Sequence, residues 1–177
     1  MTTYRAETWF DPRVGVAASS IHGSGMFATA PIGAGEVVMI WGGRLYSRDD
    51  LAAGRVPDDT SYSFIDEDLL LAGPGDAMDY FVNHSCDPTV WMADDVTVIA
   101  RRDMAAGEEI TGDYAVWESD SRSTIDPCGC GSAQCRGRFS GDDWRIEAIQ
   151  ERYAGHFLPY IARRIEAQKR RPASDLP

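Results

Sequence analysis

Four cysteines are the residues of this chain best suited to chemistry at a metal ion. Three of them follow the spacing Cys-x-Cys-x4-Cys: Cys128, Cys130 and Cys135. The fourth, Cys86, lies far earlier, in the segment Asn-His-Ser-Cys-Asp-Pro of residues 83–88. A structural zinc site takes four ligands in a tetrahedron, so three clustered thiolates require one more. If Cys86 supplies it, the ion holds the later segment against the loop that carries Asn83 and His84.

A short glycine-containing segment follows the first predicted strand. It reads Ile-His-Gly-Ser-Gly-Met-Phe-Ala over residues 21–28. Gly23 and Gly25 have no Cβ, so the backbone there can approach a bound ligand closely. A tight hairpin turn is the more common explanation for two such glycines. The segment also lacks the third glycine and the following helix of a dinucleotide-binding fingerprint.

The segment around Cys86 also offers groups that can bind a polar ligand. Asn83 carries an amide with donors and an acceptor, and a neutral His84 imidazole carries one of each. On its own, such a histidine is more often a core residue with satisfied hydrogen bonds. A further segment, residues 108–114, reads Glu-Glu-Ile-Thr-Gly-Asp-Tyr and ends at Tyr114. A lone buried tyrosine usually serves packing, so neither residue is diagnostic by itself.

In this order, the glycine segment, the segments 83–88 and 108–114 and the cysteine-rich tail resemble the SET-domain protein lysine methyltransferases. The resemblance runs from about residue 14 to residue 139. It implies a mostly β fold with α-helices, in which small curled β-sheets carry a pseudoknot formed by the last two motif segments. A zinc-bound post-SET tail and C-terminal helices follow. The resemblance also implies S-adenosylmethionine as methyl donor and one structural Zn²⁺ held by the four cysteines.

Position by position, the resemblance assigns roles to individual residues. The cofactor contacts of the family fall on seven positions: His22, Gly23, Gly25, Phe27, Asn83, His84 and Phe139. Tyr114 matches the catalytic tyrosine, and Tyr62 resembles a second tyrosine of the pocket. The expected activity is N-methylation of a lysine side chain in a protein, with S-adenosylmethionine as the donor.

These residue types suit methyl transfer to an amine. A lysine amine with a pKa of about 10.4 is mostly protonated at neutral pH, and only the neutral form has a lone pair. Burial beside a cationic sulfonium lowers that pKa through lost hydration and like-charge repulsion. What remains is to orient the two reactants, a role that we assign to the Tyr114 hydroxyl.

One departure from the family pattern concerns the size of the pocket. Gly112 stands where the family usually has Phe or Tyr. We therefore expect a wider pocket that allows di- or trimethylation. Two alternatives to a protein methyltransferase stay open: a SET module without turnover that binds cofactor and a partner, and a methyltransferase of a small-molecule amine.

The charge of the chain bears on its partners. The 177 residues carry a formal net charge of -11, which disfavours direct binding to nucleic acid because phosphate contacts need a basic face. An acidic surface attracts cations at long range, so we expect a basic, lysine-containing protein or peptide as substrate. A role of the acidic surface in keeping the protein soluble explains the charge equally well.

No apolar run reaches the roughly 20 residues that span a bilayer and no signal sequence is evident. We therefore expect a cytoplasmic protein without a membrane partner.

Short β-rich segments and two helical patterns organise the chain. Strands are predicted at 14–18, 36–41, 62–65, 69–71 and 96–100. Helices are predicted after Ser47, over 142–153 and from Pro159 onward. The regions are a SET domain at 1–115 with a variable insert at 44–80, a post-SET segment at 116–140, a helical extension at 141–171 and a disordered tail at 172–177. The helical extension leaves oligomerisation open.

Overall fold

The computed structural model describes residues 4–170 of the chain. Arg171, at the end of the predicted extension, and the predicted disordered tail at 172–177 lie outside the described residues. Between residues 4 and 170, no helix is both long and apolar enough to cross a membrane.

The described residues form thirteen short strands, three α-helices and three 3-10 turns. The strands are β1 (Trp9–Phe10), β2 (Val14–Ala18), β3 (Ser24–Ala28), β4 (Val37–Ile40), β5 (Arg44–Ser47), β6 (Thr60–Asp66), β7 (Leu69–Pro74), β8 (Asn83–His84), β9 (Val90–Met92), β10 (Thr97–Ala100), β11 (Glu109–Gly112), β12 (Thr124–Ile125) and β13 (Phe139–Ser140). The helices are α1 (Arg48–Ala52), α2 (Glu147–Arg152) and α3 (Pro159–Lys169). The 3-10 turns are Met78–Phe81, Tyr114–Val116 and Asp143–Arg145.

Eight of these strands form one curled sheet around the main core. Its order is β1-β4-β10-β9-β11-β3-β2, and β8 pairs with β11 off this path. Alternate residues of a strand point to opposite faces, and in β10 Val98 and Ala100 are accordingly buried while their neighbours are half-buried. Each of the five predicted strands overlaps a strand of the structure, and the mostly β prediction is confirmed.

The predicted insert contains a separate three-stranded sheet with the order β5-β7-β6. The short helix α1 connects β5 to β6 and begins after Ser47, as predicted. The Ser47 hydroxyl accepts a hydrogen bond from the backbone N–H of Asp50 at 3.0 Å, and the Asp50 carboxylate accepts one from the Ser47 N–H at 2.8 Å. This reciprocal capping box fixes the start of the helix within one turn.

The strand β11 brings the motif segments of the sequence together. It pairs in parallel with β8, where Gly112 lies opposite His84. On its other side it pairs antiparallel with β3, where Glu109 lies opposite Phe27. The segments 21–28, 83–88 and 108–114 therefore lie side by side, although they are far apart in the chain.

The first helix of the C-terminal extension is shorter than the sequence predicts. The prediction of one amphipathic helix over 142–153 is wrong. Ile146 has an extended backbone (φ -73°, ψ 120°), which separates the 3-10 turn Asp143–Arg145 from α2. Trp144 and Ile149 are both buried. On a single helix, residues five positions apart point about 140° away from each other. The break at Ile146 lets both side chains reach the core.

The second helix of the extension begins as predicted, with Pro159 in its first turn. Its buried face carries three of the predicted apolar residues: Leu158, Ile161 and Ile165. From the exposed side of α3, the Arg164 guanidinium forms an ion pair with the carboxylate of Glu67, in the turn between β6 and β7. The helix therefore packs on the main core and also fixes the insert.

Candidate active site

Two cavities share Tyr114 in their walls. The first has a volume of about 360 Å³ and is formed by the segments 21–22, 83–84 and 124–129 around Tyr114; we call it the Asn83 cavity. The second has a volume of about 310 Å³, and we call it the aromatic cavity after five of its residues: Trp41, Tyr62, Tyr80, Tyr114 and Trp117. A larger depression of about 590 Å³, lined by residues of the segments 6–7, 43–46, 59–60 and 72–76, contains none of the predicted site residues.

The hydroxyl of Tyr114 is held at this boundary by the backbone. It donates a hydrogen bond to the carbonyl oxygen of Val82 at 2.8 Å. Burial, followed by the nearby Tyr80, raises the pKa of Tyr114 to about 12. The hydroxyl therefore keeps its proton at neutral pH, and its oxygen still has a lone pair with which to accept a hydrogen bond. This state suits a group that orients reactants and does not suit a general base.

Asn83 fastens the glycine segment to β11. Its amide nitrogen Nδ2 lies 3.2 Å from the carbonyl oxygen of His22, 3.1 Å from that of Ser24 and 2.8 Å from Oε1 of Glu109. The Glu109 carboxylate also accepts a hydrogen bond from the hydroxyl of Ser19, at 2.8 and 2.9 Å to its two oxygens. Glu109 lies in the motif segment 108–114, but its residue type alone does not indicate this role.

Gly23 and Gly25 are restricted to glycine for different physical reasons, one by its backbone conformation and the other by the space around it. A Cβ on Gly25 would lie 2.3 Å from Oε1 of Glu109, so this position is small because the carboxylate packs on the backbone. Gly23 has a φ of 49°, and a Cβ there would meet open space. Its backbone lies in the left-handed region, which side chains other than glycine rarely adopt. The group that approaches the backbone of Gly25 closely is thus the side chain of Glu109 and not a bound ligand.

His84 forms the part of the Asn83 cavity wall that lies next to Cys86. Its ring is buried; Nδ1 accepts a hydrogen bond from the backbone N–H of Tyr114 at 3.2 Å, and Nε2 lies 3.5 Å from Sγ of Cys86. Burial lowers the pKa of His84 to about 4, opposing the attraction of Asp113. Phe139 is also buried and packs on this wall, with its ring centroid 5.1 Å from that of His84.

The four cysteines come together as the sequence predicts. Their sulfur atoms all lie within 4.8 Å of one another. The backbone N–H of Arg136 donates to Sγ of Cys86 and that of Gly137 donates to Sγ of Cys135, both at 3.3 Å. Such N–H···S bonds orient and stabilise thiolates that hold a metal. The cluster can hold a metal ion, and Cys128 is at the same time part of the wall of the Asn83 cavity.

Asp113 ties both the post-SET segment and the C-terminal extension to the turn that carries Tyr114. Asp113 is fully buried, and its carboxylate receives two hydrogen bonds from the Arg136 guanidinium, at 2.6 and 2.9 Å. The hydroxyl of Tyr153, at the end of α2, donates to the same carboxylate at 3.0 Å. The neighbouring Arg152 guanidinium donates to the carbonyl oxygen of Cys86 at 3.1 Å. The sequence-based site prediction did not include this network.

Comparison with known proteins identifies the family. The family model described as "SET domain" matches residues 23–115, which is more than half of the chain. The chain belongs to the SET-domain family.

Similar proteins include "Histone-lysine N-methyltransferase ATX2" of Arabidopsis thaliana, which is 31% identical over 150 residues; the match covers 76% of this chain and 14% of that protein. "Histone-lysine N-methyltransferase trithorax" of Drosophila virilis is 36% identical over 145 residues, covering 73% of this chain and 4% of that protein. The human "Histone-lysine N-methyltransferase 2B" is 30% identical over 136 residues, covering 70% and 5%. The chain thus spans a small fraction of the length of these relatives.

Within this SET domain, Gly112 does not widen the aromatic cavity in the way that its small size suggests. A Cβ on Gly112 would lie 2.9 Å from Cζ3 of Trp117 and still closer to two other atoms of the same ring. The ring of Trp117 therefore fills the space beside Gly112, and the expectation of a wider pocket is wrong. Trp117 itself is packed against Trp41, edge to face, with 5.8 Å between the ring centroids.

Some of the residues predicted for the SET-domain site line a cavity and others do not. Three of the seven predicted cofactor contacts line the Asn83 cavity: His22, Asn83 and His84. The other four are not part of its wall: Gly23, Gly25, Phe27 and Phe139. Tyr62, which is 45% exposed, lines the aromatic cavity together with Tyr114.

Sequence reasoning missed several residues that line the Asn83 cavity of the SET domain. They come from the post-SET segment and from the start of the glycine segment: Ile21, Thr124, Ile125, Pro127 and Gly129. Their chemistry gives no signal, because small apolar and hydroxyl side chains occur everywhere. Their position next to Cys128, which the cysteine cluster brings back to His84, is the one feature that could have indicated them.

Proposed function

We propose that this protein is an S-adenosylmethionine-dependent N-methyltransferase that acts on a lysine side chain of a protein substrate. The observation that carries the proposal is the position of Tyr114, which lines both the Asn83 cavity and the aromatic cavity. One cavity takes the methyl donor and the other takes the amine. The two reactants therefore meet at a hydroxyl group that the Val82 carbonyl holds in place.

The Asn83 cavity suits the methyl donor in size and in chemistry. Its volume of about 360 Å³ lies within the range of roughly 300–1,000 Å³ that is usual for small-molecule sites. Its walls combine an imidazole, an amide and apolar side chains, which match a ligand with both polar and aromatic parts. S-adenosylmethionine supplies an activated methyl group on a sulfonium. The protein's part is to bind this donor, exclude water and present the methyl group toward Tyr114.

The aromatic cavity suits the alkyl chain of a lysine. Aromatic faces attract a cation and also cover apolar methylene groups, so they accommodate the side chain in either protonation state. Exclusion of water from the amine favours its neutral form, which is the nucleophile. The neutral amine can donate a hydrogen bond to the Tyr114 oxygen, and this bond would direct its lone pair at the methyl group.

The metal that we propose for the cysteine cluster is one structural Zn²⁺, bound by Cys86, Cys128, Cys130 and Cys135. Four thiolates are a common ligand set of structural zinc, and Zn–S bonds of about 2.3 Å place the sulfurs roughly 3.8 Å apart in a tetrahedron. Mutual distances within 4.8 Å are compatible with this geometry. Because Cys128 lines the Asn83 cavity, the ion would act by holding that wall in place.

The substrate that we propose is a basic protein or peptide. The relatives carry names of histone-lysine N-methyltransferases, and the net charge of -11 favours encounter with a cationic partner. The same charge is unfavourable for direct contact with nucleic acid. We place the protein in the cytoplasm, and oligomer formation through its C-terminal helices is an open part of the proposal.

The test is transfer of a labelled methyl group from S-adenosylmethionine to the proteins of a cell extract. We expect one or more labelled protein bands with the unmodified protein and loss of the label with Tyr114→Phe. Label confined to the small-molecule fraction would mean that the amine is not part of a protein. Donor binding without label in either fraction would contradict the proposed activity and favour a SET module that binds without turnover.

A further inference from the structure

Glu118 lines the aromatic cavity and directly follows Trp117, another residue of its wall. The backbone N–H of Glu118 donates a hydrogen bond to the carbonyl oxygen of Tyr114 at 2.7 Å. The 3-10 turn Tyr114–Val116 therefore also determines where the side chain of Glu118 leaves the backbone. One short segment thus supplies the orienting hydroxyl, an indole ring of the wall and a carboxylate.

The carboxylate of Glu118 is held at one oxygen and free at the other. Oε1 accepts hydrogen bonds from the backbone N–H groups of Ser119 and Asp120, both at 2.7 Å. Oε2 accepts no hydrogen bond from residues 4–170, and it is not one of the solvent-excluded atoms without a partner in that range. The orientation of the side chain is therefore fixed while one acceptor stays open to solvent.

No cation among the described residues compensates this carboxylate. Between residues 4 and 170, neither lysine nor arginine lines the aromatic cavity. A neighbouring depression of about 350 Å³, which Ser119 and Asp120 line, contains three arginines. Each of these pairs with a carboxylate other than Glu118: Arg48 with Asp68, Arg122 with Asp120 and Arg164 with Glu67. The negative charge of Glu118 is therefore available to a ligand.

The other carboxylate of the aromatic cavity is less accessible. Oδ1 of Asp79 has almost no solvent exposure and no hydrogen-bond partner among residues 4–170, so a molecule in the cavity does not reach it. Oδ2 accepts a hydrogen bond from the hydroxyl of Thr8 at 3.3 Å. The cavity itself is open, because Tyr62 and Tyr80 in its wall are 45% and 67% exposed. Glu118 thus carries the unengaged carboxylate oxygen that a ligand can reach.

We propose that Glu118 binds the ammonium group of the substrate lysine in the aromatic cavity before methyl transfer. A primary ammonium has three donors and a positive charge, so it can bond to Oε2 while its methylene chain packs on the aromatic rings. Charge-assisted hydrogen bonds are about twice as strong as neutral ones. Glu118 thereby selects cationic amines over neutral chains of equal length. The inference rests on the proposed function in taking this cavity as the one that receives the amine.

The role of Glu118 is recognition of the substrate and not the chemical step. A neighbouring negative charge favours the protonated amine, which has no lone pair. The amine must therefore leave Glu118 and lose its proton to solvent before the Tyr114 hydroxyl orients it toward the methyl group.

The test compares two small probes of nearly equal size: n-butylammonium, which reproduces the lysine side chain, and neutral 1-butanol. Binding at pH 7 is followed by NMR through the indole N–H signals of Trp41 and Trp117, assigned by substitution. We expect a preference for n-butylammonium of about fivefold, the upper value for an ion pair that stays partly open to water. Glu118→Gln keeps an acceptor for the backbone N–H groups but removes the charge, and it should reduce the preference to about twofold or less.

Two control variants locate the effect. Glu147→Gln makes the same chemical change at an exposed residue of α2 outside both cavities, and it should keep the full preference. Asp79→Asn removes the other carboxylate of the aromatic cavity. It should keep a preference of at least about threefold, because the ammonium does not reach Oδ1 and binds at Glu118.

An unchanged preference in Glu118→Gln would overturn the proposal, and so would loss of the preference in Asp79→Asn alone. The absence of any preference in the unmodified protein would do the same, a result that requires no variant to fold. The melting temperature of each variant shows whether the fold is retained. The probes need neither methyl donor nor turnover. A preserved preference without methyl transfer to extract proteins would therefore contradict the proposed function and support the Glu118 site.

Discussion

Trp117 occupies the space into which a side chain at position 112 would extend. An ideal Cβ built on Gly112 lies 1.8 Å from Cη2 and 2.4 Å from Cζ2 of the indole ring. The chain that leaves β11 turns back through the 3-10 turn Tyr114–Val116, and this turn returns Trp117 to the end of the strand. The aromatic group beside Tyr114 is thus supplied from five residues further along the chain.

Gly112→Ala should destabilise the fold, because its methyl group overlaps the ring of Trp117. Overpacking of this kind costs about 1–3 kcal/mol in the free energy of unfolding, measured by urea denaturation. Gly33→Ala is the matched control, since a Cβ at Gly33 meets its nearest neighbour at 3.4 Å. If both variants unfold at the same urea concentration, the ring of Trp117 does not fill this space.

Trp117→Ala should increase the number of methyl groups that the amine receives. Removal of the indole opens the aromatic cavity beside Tyr114, and a methylated amine then has room to rotate for a second transfer. Mass spectrometry of the labelled product gives the ratio of mono-, di- and trimethylated forms. Adding Gly112→Phe to this variant returns an aromatic ring to the same space and should reverse the change. A product distribution unaffected by Trp117→Ala would show that another residue limits the product.

Tyr114→Phe should reduce turnover about a hundredfold, the usual effect of removing one preorganised hydrogen-bonding group at a reacting centre. The affinity for S-adenosylmethionine, measured by calorimetry, should change little, because the phenyl ring still lines the Asn83 cavity. Tyr160→Phe removes a hydroxyl that contacts Ser119, at 3.0 Å, outside both cavities and serves as control. Full activity of Tyr114→Phe would mean that the orienting role belongs elsewhere.

Arg136→Met should be strongly destabilising, because it leaves the fully buried Asp113 carboxylate without its main partner. Breaking a buried ion pair in this way costs about 3–5 kcal/mol. Arg122 forms an ion pair with Asp120 in which the arginine side chain is 88% exposed, so Arg122→Met should cost less than about 1 kcal/mol. Equal unfolding free energies for the two variants would contradict the importance of the Asp113 network.

Loss of the proposed zinc ion should weaken the binding of S-adenosylmethionine more than it weakens the β-sheets. Cys135→Ser removes one of four ligands, and the wall of the Asn83 cavity next to Cys128 is then free to move. We expect a clear fall in the affinity for S-adenosylmethionine with nearly unchanged far-ultraviolet circular dichroism. A metal chelator applied to the unmodified protein should reproduce this pattern. Unchanged donor affinity after complete metal removal would separate the cysteine cluster from the site.

Residues whose effect is limited to one turn of the chain predicted the starts of helices correctly. Ser47 and Pro159 each mark a helix start, because capping and the fixed φ of proline operate inside one turn. The residue types also predicted that Cys86 lies beside the three later cysteines, because four thiolates suit the binding of one metal ion. In these cases the residue type alone restricts what its surroundings can be.

Features that depend on tertiary packing were not accessible in the same way. The sequence shows a glycine at position 112, but only the path of the following turn reveals that Trp117 takes its place. The break at Ile146 arises because two side chains that one helix would separate must enter the same core. Asp79 is an ordinary acidic residue in the sequence, and its unpaired oxygen appears only when Thr8 and the aromatic walls surround it.

The contacts from α2 to Cys86 and Asp113 also set the order in which the protein matures during its synthesis. A ribosome that has completed residue 115 has already made every motif segment of the SET domain, but three of the four cysteines, Arg136 and Tyr153 are still to come. The Asn83 cavity is complete only when the later part of its wall, which includes Thr124, Ile125 and Cys128, has also been made. A nascent chain therefore carries the segments 21–28, 83–88 and 108–114 before the cavity that they border can be complete.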